Sequence, residues 1–357
     1  MVKIAFLINS MAGGGAERVV SILLENLSRE NRKFYLILLE DKIYYDIPED
    51  VEIIKLNSRF FGFKKLKEVV QNNGIDLVIS FLGRSNYINI LSGGIHKKYI
   101  SERVNPSQMH ASGSIGLINK ILTRWLYPKA NLIFTNSLGT RNSLNQEFNI
   151  PLDKIRVIYN PIDLEKIERM CLDSIEPEYQ EIFKTPVIIN VGRFNNQKDH
   201  ISLIKSFKIV SEQIGGAKLL LLGEGVLEKK IRKLARNLGI EDRIIFAGWQ
   251  KNPFKFMKNS NVFVLSSLWE GLPNTLIEAL ACGVPAVSTD CPSGPDEIID
   301  SEENGVLVPV GDYKAMADAI VKILKNQEMA YRFIANGRRR IQEFSVKNII
   351  DQYEKLI

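Results

Sequence analysis

The chain has 357 residues, of which 45% are hydrophobic and 25% are charged; these values are typical of a globular protein of two domains and exclude a disordered or fibrous chain. No apolar run reaches the roughly 18 residues that a membrane-spanning helix needs. The net charge of +6 favours a phosphorylated ligand or an anionic surface, whereas the lack of a zinc-finger or RNA-binding motif argues against nucleic acid.

The first half of the sequence predicts buried strands that alternate with helices. Its N-terminus, MVKIAFLINSMAGGGAER, predicts a core strand followed by a glycine turn and not a signal peptide. A helix is expected over 17–29, and strands are expected over 3–9, 33–40, 51–56, 76–82, 99–103, 132–136 and 156–159. Apolar strands separated by helices indicate a parallel sheet with both faces covered.

The second half repeats this pattern after a charged segment, 166–185, which is predicted to be a linker. Strands are expected over 187–192, 218–222, 244–247, 262–266, 285–289 and 305–309, and residues 314–357 are expected to be almost wholly helical. The predicted fold class is therefore α/β, with two tandem doubly wound, Rossmann-like domains over 1–165 and 186–343. Their ligand-binding edges are expected to face an interdomain cleft.

Three consecutive glycines follow the first predicted strand: Gly13, Gly14 and Gly15. Glycines at a strand-to-helix turn let a ligand approach the backbone, and the helix N-terminus favours an anion. A dinucleotide fingerprint would need glycine where Arg18 stands, although Glu40 lies where a ribose-binding acid would be expected. An NAD-dependent oxidoreductase and a plain packing turn are therefore both alternatives.

Basic residues follow the first strand of the second domain, in the segment GRFNNQKDH. After Gly192, Arg193 offers a bidentate fork and Lys198 a compact charge, and together they suit a diphosphate. Stabilising a departing diphosphate is a catalytic role for such cations. The alternative is a solvated turn with two ordinary basic residues.

Two later loops repeat the combination of a strand and a glycine turn. Gly223 and Gly225 flank Glu224, and Gly294 lies in the segment CPSGPDEI. Each loop is expected to bring backbone amides close to a ligand. Plain turns are the alternative, with Glu297 supporting the start of a helix.

Two carboxylates lie in the segment WEGLPNTLIEALACGVP. Glu270 is expected in a loop beyond the carboxyl end of a strand, and Glu278 about two helical turns later. That edge of an open α/β sheet binds ligands, and the pair suits a ligand with hydroxyl groups at both ends, such as a nucleotide sugar. A solvated loop residue and a helix-surface residue are the alternative.

Metal ligation is not expected. The three histidines, His96, His110 and His200, do not have metal-site spacing, and no Asp-x-Asp pair occurs for a nucleotide-bound Mg²⁺. The cysteines form an odd set without CxxC spacing, which argues for a reducing compartment: Cys171, Cys282 and Cys291.

Two basic amphipathic stretches, 60–70 and 115–129, favour an anionic membrane surface as a partner. Both mix aromatic or aliphatic residues with Lys and Arg at helical spacing. Ordinary amphipathic helices packed on a sheet are the alternative.

Taken in order, GGGAER, GRFNNQK, GEG and EGLPNTLIE resemble the retaining glycosyltransferases of family GT4, which have the GT-B fold. The resemblance covers essentially the whole chain and implies that Arg193 and Lys198 grip the donor diphosphate. It implies that Glu270 contacts the donor sugar and that Glu278 contacts the ribose. Arg193, Lys198 and Glu270 are the predicted catalytic residues. It also implies that the second domain binds the donor, and that residues 344–357 return to the first domain.

Within the family, LINSMAGGGAERVV, VIYNPIDLE and NPFKFM resemble the N-acetylgalactosaminyltransferases that extend polyprenyl-diphosphate-linked glycans in bacteria. This implies a UDP-N-acetylhexosamine donor, a lipid-linked saccharide acceptor, and no metal or further cofactor. It also implies a cytoplasmic protein held peripherally at the inner face of the cell membrane. The alternative is a transferase with another hexosyl donor in capsule, O-antigen or lipopolysaccharide synthesis.

The acceptor is expected in the first domain, near Glu17, Glu102 and Arg103. Many family members carry a His where Arg103 stands, and His110 follows seven residues later. Neither is predicted to be a catalytic base, because the resemblance implies front-face attack, in which the donor phosphate takes the acceptor proton.

Overall fold

The computed structural model describes residues 1–58, 62–105 and 113–357, and these residues form two compact units. The first unit comprises Met1–Pro161 together with Val346–Ile357, and the second comprises Ile162–Ser345. Each unit is built around one parallel sheet with helices between its strands.

The first unit contains a seven-stranded sheet in the order β3-β2-β1-β4-β5-β6-β7. Its strands are β1 Val2–Ile8, β2 Arg32–Leu38, β3 Glu52–Lys55, β4 Leu77–Phe81, β5 Lys97–Glu102, β6 Leu132–Thr135 and β7 Ile155–Val157. Its helices are α1 Gly15–Asn26, α2 Gly62–Asn73, α3 Gly83–Leu91, α4 Gly113–Leu126 and α5 Leu138–Phe148, with a 3₁₀ turn at Tyr127–Lys129. The central strands are almost fully buried because helices cover both faces of the sheet.

The second unit contains a six-stranded sheet in the order β10-β9-β8-β11-β12-β13. Its strands are β8 Val187–Val191, β9 Lys218–Leu222, β10 Ile244–Gly248, β11 Val262–Leu265, β12 Ala286–Thr289 and β13 Val306–Val308. Its helices are α6 Leu164–Cys171, α7 Pro177–Gln180, α8 His200–Gln213, α9 Glu228–Asn237, α10 Phe254–Lys258, α11 Asn274–Ala281, α12 Pro295–Ile298, α13 Tyr313–Lys325 and α14 Gln327–Arg340.

The last helix, α15 Val346–Glu354, belongs to the first unit although it follows the whole of the second unit in sequence. Ile349, Ile350 and Tyr353 are buried in the same apolar cluster as the central strands β1 and β4. The carboxylate of Glu354 pairs with Arg32, which fixes the end of this helix beside β2.

The segment predicted as a linker, 166–185, is mostly helical and belongs to the second unit. The side chain of Asp163 caps α6 by accepting a hydrogen bond from the Lys166 amide at 2.9 Å. Ile167 and Cys171 are buried, and Glu176 pairs with Lys255 of α10. The charges that suggested a linker therefore lie on the outer face of an amphipathic helix.

Both sheets reverse their strand order at one point, between β1 and β4 in the first unit and between β8 and β11 in the second. Ligands of doubly wound sheets bind outside the carboxyl ends of the strands at such a point. Within the described ranges, none of the helices is both long and apolar enough to span a membrane.

Candidate active site

The clearest charged contact at either of these edges joins Lys198 to Glu270 in the second unit. The Lys198 Nζ lies 2.6 Å from Glu270 Oε1, and their side chains are only 15% and 8% exposed. Lys198 lies in the loop after β8 and Glu270 in the loop after β11, so the contact crosses the switch point of this sheet. A nearly buried ion pair in a loop has a high desolvation cost and points to a specific role.

Neighbouring polar groups hold the Glu270 carboxylate in place. Ser267 donates a hydrogen bond to Oε1 at 2.6 Å, whereas the contact of Oε2 within the described part of the chain is a long one, 3.4 Å from Gln197. Gln197 also donates to the carbonyl of Trp269 at 2.9 Å, and Ser266 donates to the carbonyl of Lys198 at 2.6 Å. The two loops are therefore fixed to each other, and Oε2 retains capacity to accept a further hydrogen bond.

A buried histidine supports the start of α8, directly after Lys198 and Asp199. His200 is 1% exposed, faces Asn190 Oδ1 with its Nε2 at 3.0 Å, and meets the ring of Phe194 edge-on. Asn190 in turn donates to the carbonyl of Val264 on β11. Burial lowers the pKa of His200 to about 4, so the imidazole is neutral at physiological pH and serves as a packing group.

Two glycines let a second loop lie directly against the loop that carries Arg193. A Cβ on Gly223, whose φ is +139°, would lie 2.1 Å from the Gly192 carbonyl oxygen. A Cβ on Gly225 would lie 2.4 Å from the Phe194 carbonyl oxygen. Both positions therefore require glycine because the two loops approach each other closely. The sequence predicted close approach to a ligand at these glycines, and that remains a prediction.

The loop that carries Gly294 packs in the same way against the loop after Glu270. Gly294 has a φ of +98°, and a Cβ there would lie 2.7 Å from the Gly271 carbonyl oxygen. The Glu270 amide also bonds to the Pro292 carbonyl at 3.3 Å. Beside this loop, burial and the nearby Asp290 raise the pKa of Asp296.

The other two residues that the sequence predicted for the donor site differ in exposure. Arg193 is exposed, and its guanidinium has no side-chain partner among the residues that the structure describes. Glu278 is only 3% exposed on α11, the helix that begins in the loop after Glu270. Lys198 and Glu270 are thus brought into contact, Arg193 is accessible to a ligand, and Glu278 sits inside the unit.

The first unit has a cavity of about 450 Å³ at its own switch point. Its walls come from the ends of β1, β4 and β5 and from α3 and α4: Asn9, Leu82, Gly83, Arg84, Tyr87, Glu102, Val104 and Asn119. The cavity therefore combines one carboxyl group, one cation and several hydrogen-bonding groups, which suits a polar ligand.

Glu102 is the carboxyl group of this cavity. Tyr127 donates to its Oε2 at 2.6 Å and the Arg103 amide donates to its Oε1 at 3.1 Å. Burial raises the pKa of Glu102 above its usual value, although these donors oppose the shift.

Arg103 points elsewhere. Its guanidinium donates to Asn160 Oδ1 at 2.7 Å and to the Tyr353 hydroxyl at 3.0 Å, and it lies over the Phe81 ring. These contacts place the charge of Arg103 between the sheet and α15. His110 lies outside the described residues.

The glycine triplet follows β1 as predicted: Gly13, with a φ of +95°, Gly14 before α1, and Gly15 as its first residue. A Cβ on Gly14 would lie 2.3 Å from Glu17 Oε2, so this carboxylate folds back over the loop. Glu40, the candidate ribose-binding acid of the oxidoreductase hypothesis, pairs with Arg84 at 2.9 Å.

In the described part of the chain, no cluster of His, Cys, Asp or Glu has the geometry of a metal site. The sequence analysis did not identify Ser267, Gln197 or the cavity residues Asn9 and Tyr87. The serine pair Ser266–Ser267 directly after the apolar run of β11 was the available signal, since polar residues at the carboxyl end of a buried strand face the ligand edge.

Both halves of the chain match family models of glycosyltransferases. Residues 13–166 match Glycosyltransferase Family 4, and residues 174–340 match Glycosyl transferases group 1. A Campylobacter jejuni protein named N-acetylgalactosamine-N,N'-diacetylbacillosaminyl-diphospho-undecaprenol 4-alpha-N-acetylgalactosaminyltransferase is 35% identical over 360 residues, which covers 96% of each chain.

Two further proteins are similar over nearly their full length. A second C. jejuni protein, GalNAc-alpha-(1->4)-GalNAc-alpha-(1->3)-diNAcBac-PP-undecaprenol alpha-1,4-N-acetyl-D-galactosaminyltransferase, is 25% identical, covering 100% of this chain and 98% of that protein. Among solved structures, Anabaena HepE in complex with UDP and glucose has the same fold, with a TM-score of 0.82 over 99% of both chains at 20% identity.

Proposed function

The chain belongs to glycosyltransferase family 4 and has the GT-B fold, and from this premise we propose that it transfers a hexosamine from a UDP-sugar to a lipid-linked glycan, with retention of configuration and without a metal ion. The observation that carries the proposal is the contact between Lys198 and Glu270 across the switch point of the second unit. The names of the relatives support N-acetylgalactosamine as the sugar and an undecaprenyl-diphosphate-linked glycan as the acceptor.

In this proposal the donor diphosphate binds to Arg193 and Lys198. The guanidinium of Arg193 is exposed and can form a bidentate contact with phosphate oxygens. The ammonium of Lys198 has three donors, so it can hold Glu270 and a phosphate oxygen together. Gly192, Gly223, Gly225 and Gly294 bring the surrounding backbone close enough to bind the nucleotide part.

Glu270 orients the donor sugar. Its Oε1 is occupied by Lys198 and Ser267, whereas Oε2 can accept a hydrogen bond from a sugar hydroxyl. Glu278 is assigned to the ribose, as the family resemblance implies.

The reaction follows from this arrangement. The bond between the sugar C1 and the diphosphate breaks, the acceptor hydroxyl oxygen bonds to C1 on the same face, and its proton passes to a donor phosphate oxygen. Arg193 and Lys198 stabilise the negative charge that develops on the leaving diphosphate, which takes the place of a metal ion. Correct orientation of the two substrates supplies much of the remaining acceleration.

On the acceptor side, Glu102 contacts a hydroxyl or amide of the terminal acceptor sugar in the cavity of the first unit. Arg103 has a supporting role, since it fixes the end of β5 next to Glu102. Glu17 is a further candidate contact, because it lies just beyond the carboxyl end of β1. The family resemblance implies that the loop Gly13–Gly15 lies near both the donor phosphates and the acceptor.

A lipid-linked acceptor places the enzyme at a membrane. We therefore propose peripheral attachment to the inner face of an anionic cell membrane, where UDP-sugars are present. The alternative is a transferase that uses another hexosyl donor in the synthesis of capsule, O-antigen or lipopolysaccharide. In that alternative every residue assigned above keeps its role, and only the transferred sugar differs.

The first test is a calorimetric titration with UDP in the presence of EDTA. UDP should bind without metal and should bind much more weakly to Arg193→Ala. Arg169→Ala is the matched control, because Arg169 is another exposed arginine of the second unit. NAD⁺ binding in place of UDP binding would overturn the proposal.

The second test identifies the sugar and the stereochemistry. Transfer is followed from UDP-N-acetylgalactosamine, UDP-N-acetylglucosamine, UDP-galactose and UDP-glucose to a polyprenyl-diphosphate-linked N-acetylgalactosamine. Proton NMR of the product should show the α-anomer that the donor contains; a β-linked product would rule out retention.

A further inference from the structure

Two cysteines lie in contact inside the second unit. Cys171 is the last residue of α6, and Cys282 caps the C-terminal end of α11. Their Sγ atoms are 3.3 Å apart, although 111 residues separate them in sequence. Both residues are buried and neither belongs to a disulfide. A disulfide has an S–S length of about 2.05 Å, so a small movement of the two side chains would bring the sulfur atoms within bonding distance.

A cavity of about 250 Å³ borders this pair of thiols. Cys171 and Cys282 both line it, together with the exposed cations Lys258 and Arg338. The guanidinium of Arg338 lies beside the turn after Cys282, since a Cβ on Gly283 would be 2.9 Å from its Nη2. A water molecule takes up about 30 Å³ in the liquid, so the cavity has room for a small polar oxidant such as hydrogen peroxide.

The surroundings of the two thiols make them chemically unequal. A hydrogen bond from the Cys282 thiol lowers the pKa of Cys171, and the charges of Lys258 and Arg338 act in the same direction, whereas burial and Glu168 oppose the shift. The hydrogen bond with Cys171 and burial raise the pKa of Cys282. Because the thiolate is the nucleophile, Cys171 is the thiol that attacks an oxidant and Cys282 the one that follows.

The third cysteine, Cys291, provides an internal reference. It lies after β12 and is buried. Burial raises its pKa to about 12, with the nearby charge of Glu270 acting in the same direction. Its thiol is therefore neutral at physiological pH and is expected to react slowly.

A bond between the first two cysteines would act on the helix that carries Glu278. The Cys282 amide donates to the Glu278 carbonyl at 2.9 Å, in the last turn of α11. Drawing Cys282 towards α6 would therefore displace the turn to which Glu278 belongs. This step rests on the proposed function, in which Glu278 contacts the ribose of the donor.

We propose that Cys171 and Cys282 form a reversible disulfide when a hydroperoxide enters this cavity, and that the disulfide weakens nucleotide binding through α11. The Cys171 thiolate attacks one peroxide oxygen, the O–O bond breaks, and the released hydroxide takes up a proton to leave as water. This gives a sulfenic acid on Cys171. The Cys282 sulfur then attacks the Cys171 sulfur, the S–S bond forms, and the sulfenic oxygen leaves with the Cys282 proton as a second water molecule.

The electrons balance in this sequence. The two sulfur atoms together lose two electrons, which reduce one molecule of hydrogen peroxide to two molecules of water. A small thiol restores the pair by thiol–disulfide exchange. Transient disulfides of this kind are the ones expected in a reducing compartment.

The first test is oxidation of the full chain with hydrogen peroxide, followed by thiol counting in denaturant and by mass spectrometry. The oxidised chain should retain one free thiol and be lighter by two hydrogen atoms, and dithiothreitol should restore all three thiols. Cys282 and Cys291 share one tryptic peptide, so the cross-link to the Cys171 peptide is located in Cys291→Ser. A sulfinic acid without a cross-link, or a disulfide between two chains, would overturn the proposal.

The second test is titration of UDP into the reduced and the oxidised chain. Oxidation should raise the Kd for UDP roughly fivefold or more, and dithiothreitol should reverse the change. Cys171→Ala and Cys171→Ser should bind UDP as the reduced unmodified chain does, both before and after peroxide treatment. An oxidised chain with unchanged UDP affinity would overturn the effect through α11, and an equal loss in Cys171→Ala would assign the effect to another oxidised residue.

These measurements separate this inference from the proposed function. If the reduced chain does not bind UDP, the proposed function fails. The thiol count and the cross-linked peptide still decide whether Cys171 and Cys282 form the disulfide.

Discussion

The two units place buried charge at the carboxyl edge of their sheets in different ways. In the second unit, Lys198 and Glu270 come from separate loops and meet each other at 2.6 Å. In the first unit, the neighbours Glu102 and Arg103 diverge: the carboxyl group lines a cavity and the guanidinium holds the last helix. Glu102 and Arg103 are therefore adjacent in sequence but have separate roles, whereas Lys198 and Glu270 are distant in sequence but form one site.

This difference has an energetic consequence. Removing a charge that holds another element should mainly lower stability, whereas removing a charge at the ligand edge should mainly lower activity. Four predictions test the distinction, starting with the largest expected effect.

Lys198→Ala should lower kcat by two to three orders of magnitude, or about 3 kcal/mol of barrier, because one stabiliser of the leaving diphosphate is lost. Lys255→Ala is the control, since the largely buried Lys255 also forms an ion pair in this unit, with the more exposed Glu176 in the segment after α6. Steady-state kinetics and thermal melting should show an activity defect in the first variant and only a stability defect in the second. A near-normal rate in Lys198→Ala would remove this residue from the mechanism.

Gly223→Ala should lower the free energy of unfolding by on the order of 2 to 3 kcal/mol and weaken UDP binding. The added Cβ would meet the Gly192 carbonyl at 2.1 Å, and the φ of +139° is unfavourable for alanine. Gly215→Ala is the control, because a Cβ there meets nothing within 4 Å. Denaturant unfolding and UDP titration of both variants check this; equal behaviour of the two would contradict it.

Arg103→Leu should lower the free energy of unfolding by about 2 kcal/mol and loosen α15, because Tyr353 and Asn160 lose a charged donor in the interior. Tyr353→Phe removes one of the two contacts and should cost about 1 kcal/mol. Denaturant unfolding gives the energies, and limited proteolysis reports release of the C-terminus. A variant with normal stability and no transfer activity would instead show that Arg103 contacts the acceptor.

Acidification from pH 7 to pH 5.5 should lower the stability of the second unit by about 1 kcal/mol through His200. Its folded pKa of about 4 lies below the 6.5 of a histidine in the unfolded chain, so its stabilising contribution is present above pH 6.5 and is lost as the pH falls towards 4. His200→Gln should remove that part of the pH dependence in thermal melts. Burial also lowers the pKa of His96, in the first unit, to about 4. Because His96 is unchanged in the His200→Gln variant, the pH dependence of the first unit should remain and serves as an internal reference.

The sheets were predictable from sequence because their strands are short apolar runs separated by helices. Each predicted strand overlaps an observed one, and the second unit's glycine positions follow from the turns after β8, β9 and β12. The prediction of a linker over 166–185 was wrong, because the many charged residues of this segment lie on the outer face of α6 while Ile167 and Cys171 are buried.

The contacts within the site were beyond sequence reasoning. Lys198 and Glu270 are 72 residues apart, and Arg103 and Tyr353 are 250 residues apart, so no local pattern relates them. Four large apolar side chains of α4 are exposed to solvent, and this could not be predicted from the sequence either: Leu117, Ile118, Ile121 and Trp125. Helix α2 has a similar mixture of apolar and basic residues, and the packing of the rest of the unit decides which faces are buried. Residues 60 and 61, which precede α2, lie outside the described residues.

The position of α15 determines the order in which the chain can finish folding as it leaves the ribosome. Most of the first unit precedes the second in sequence, but its core lacks Ile349, Ile350 and Tyr353 until α15 has been made. The second unit is continuous and is complete at Ser345. The domain made first is therefore completed last, and during synthesis it exposes an apolar patch that nascent-chain chaperones would need to cover.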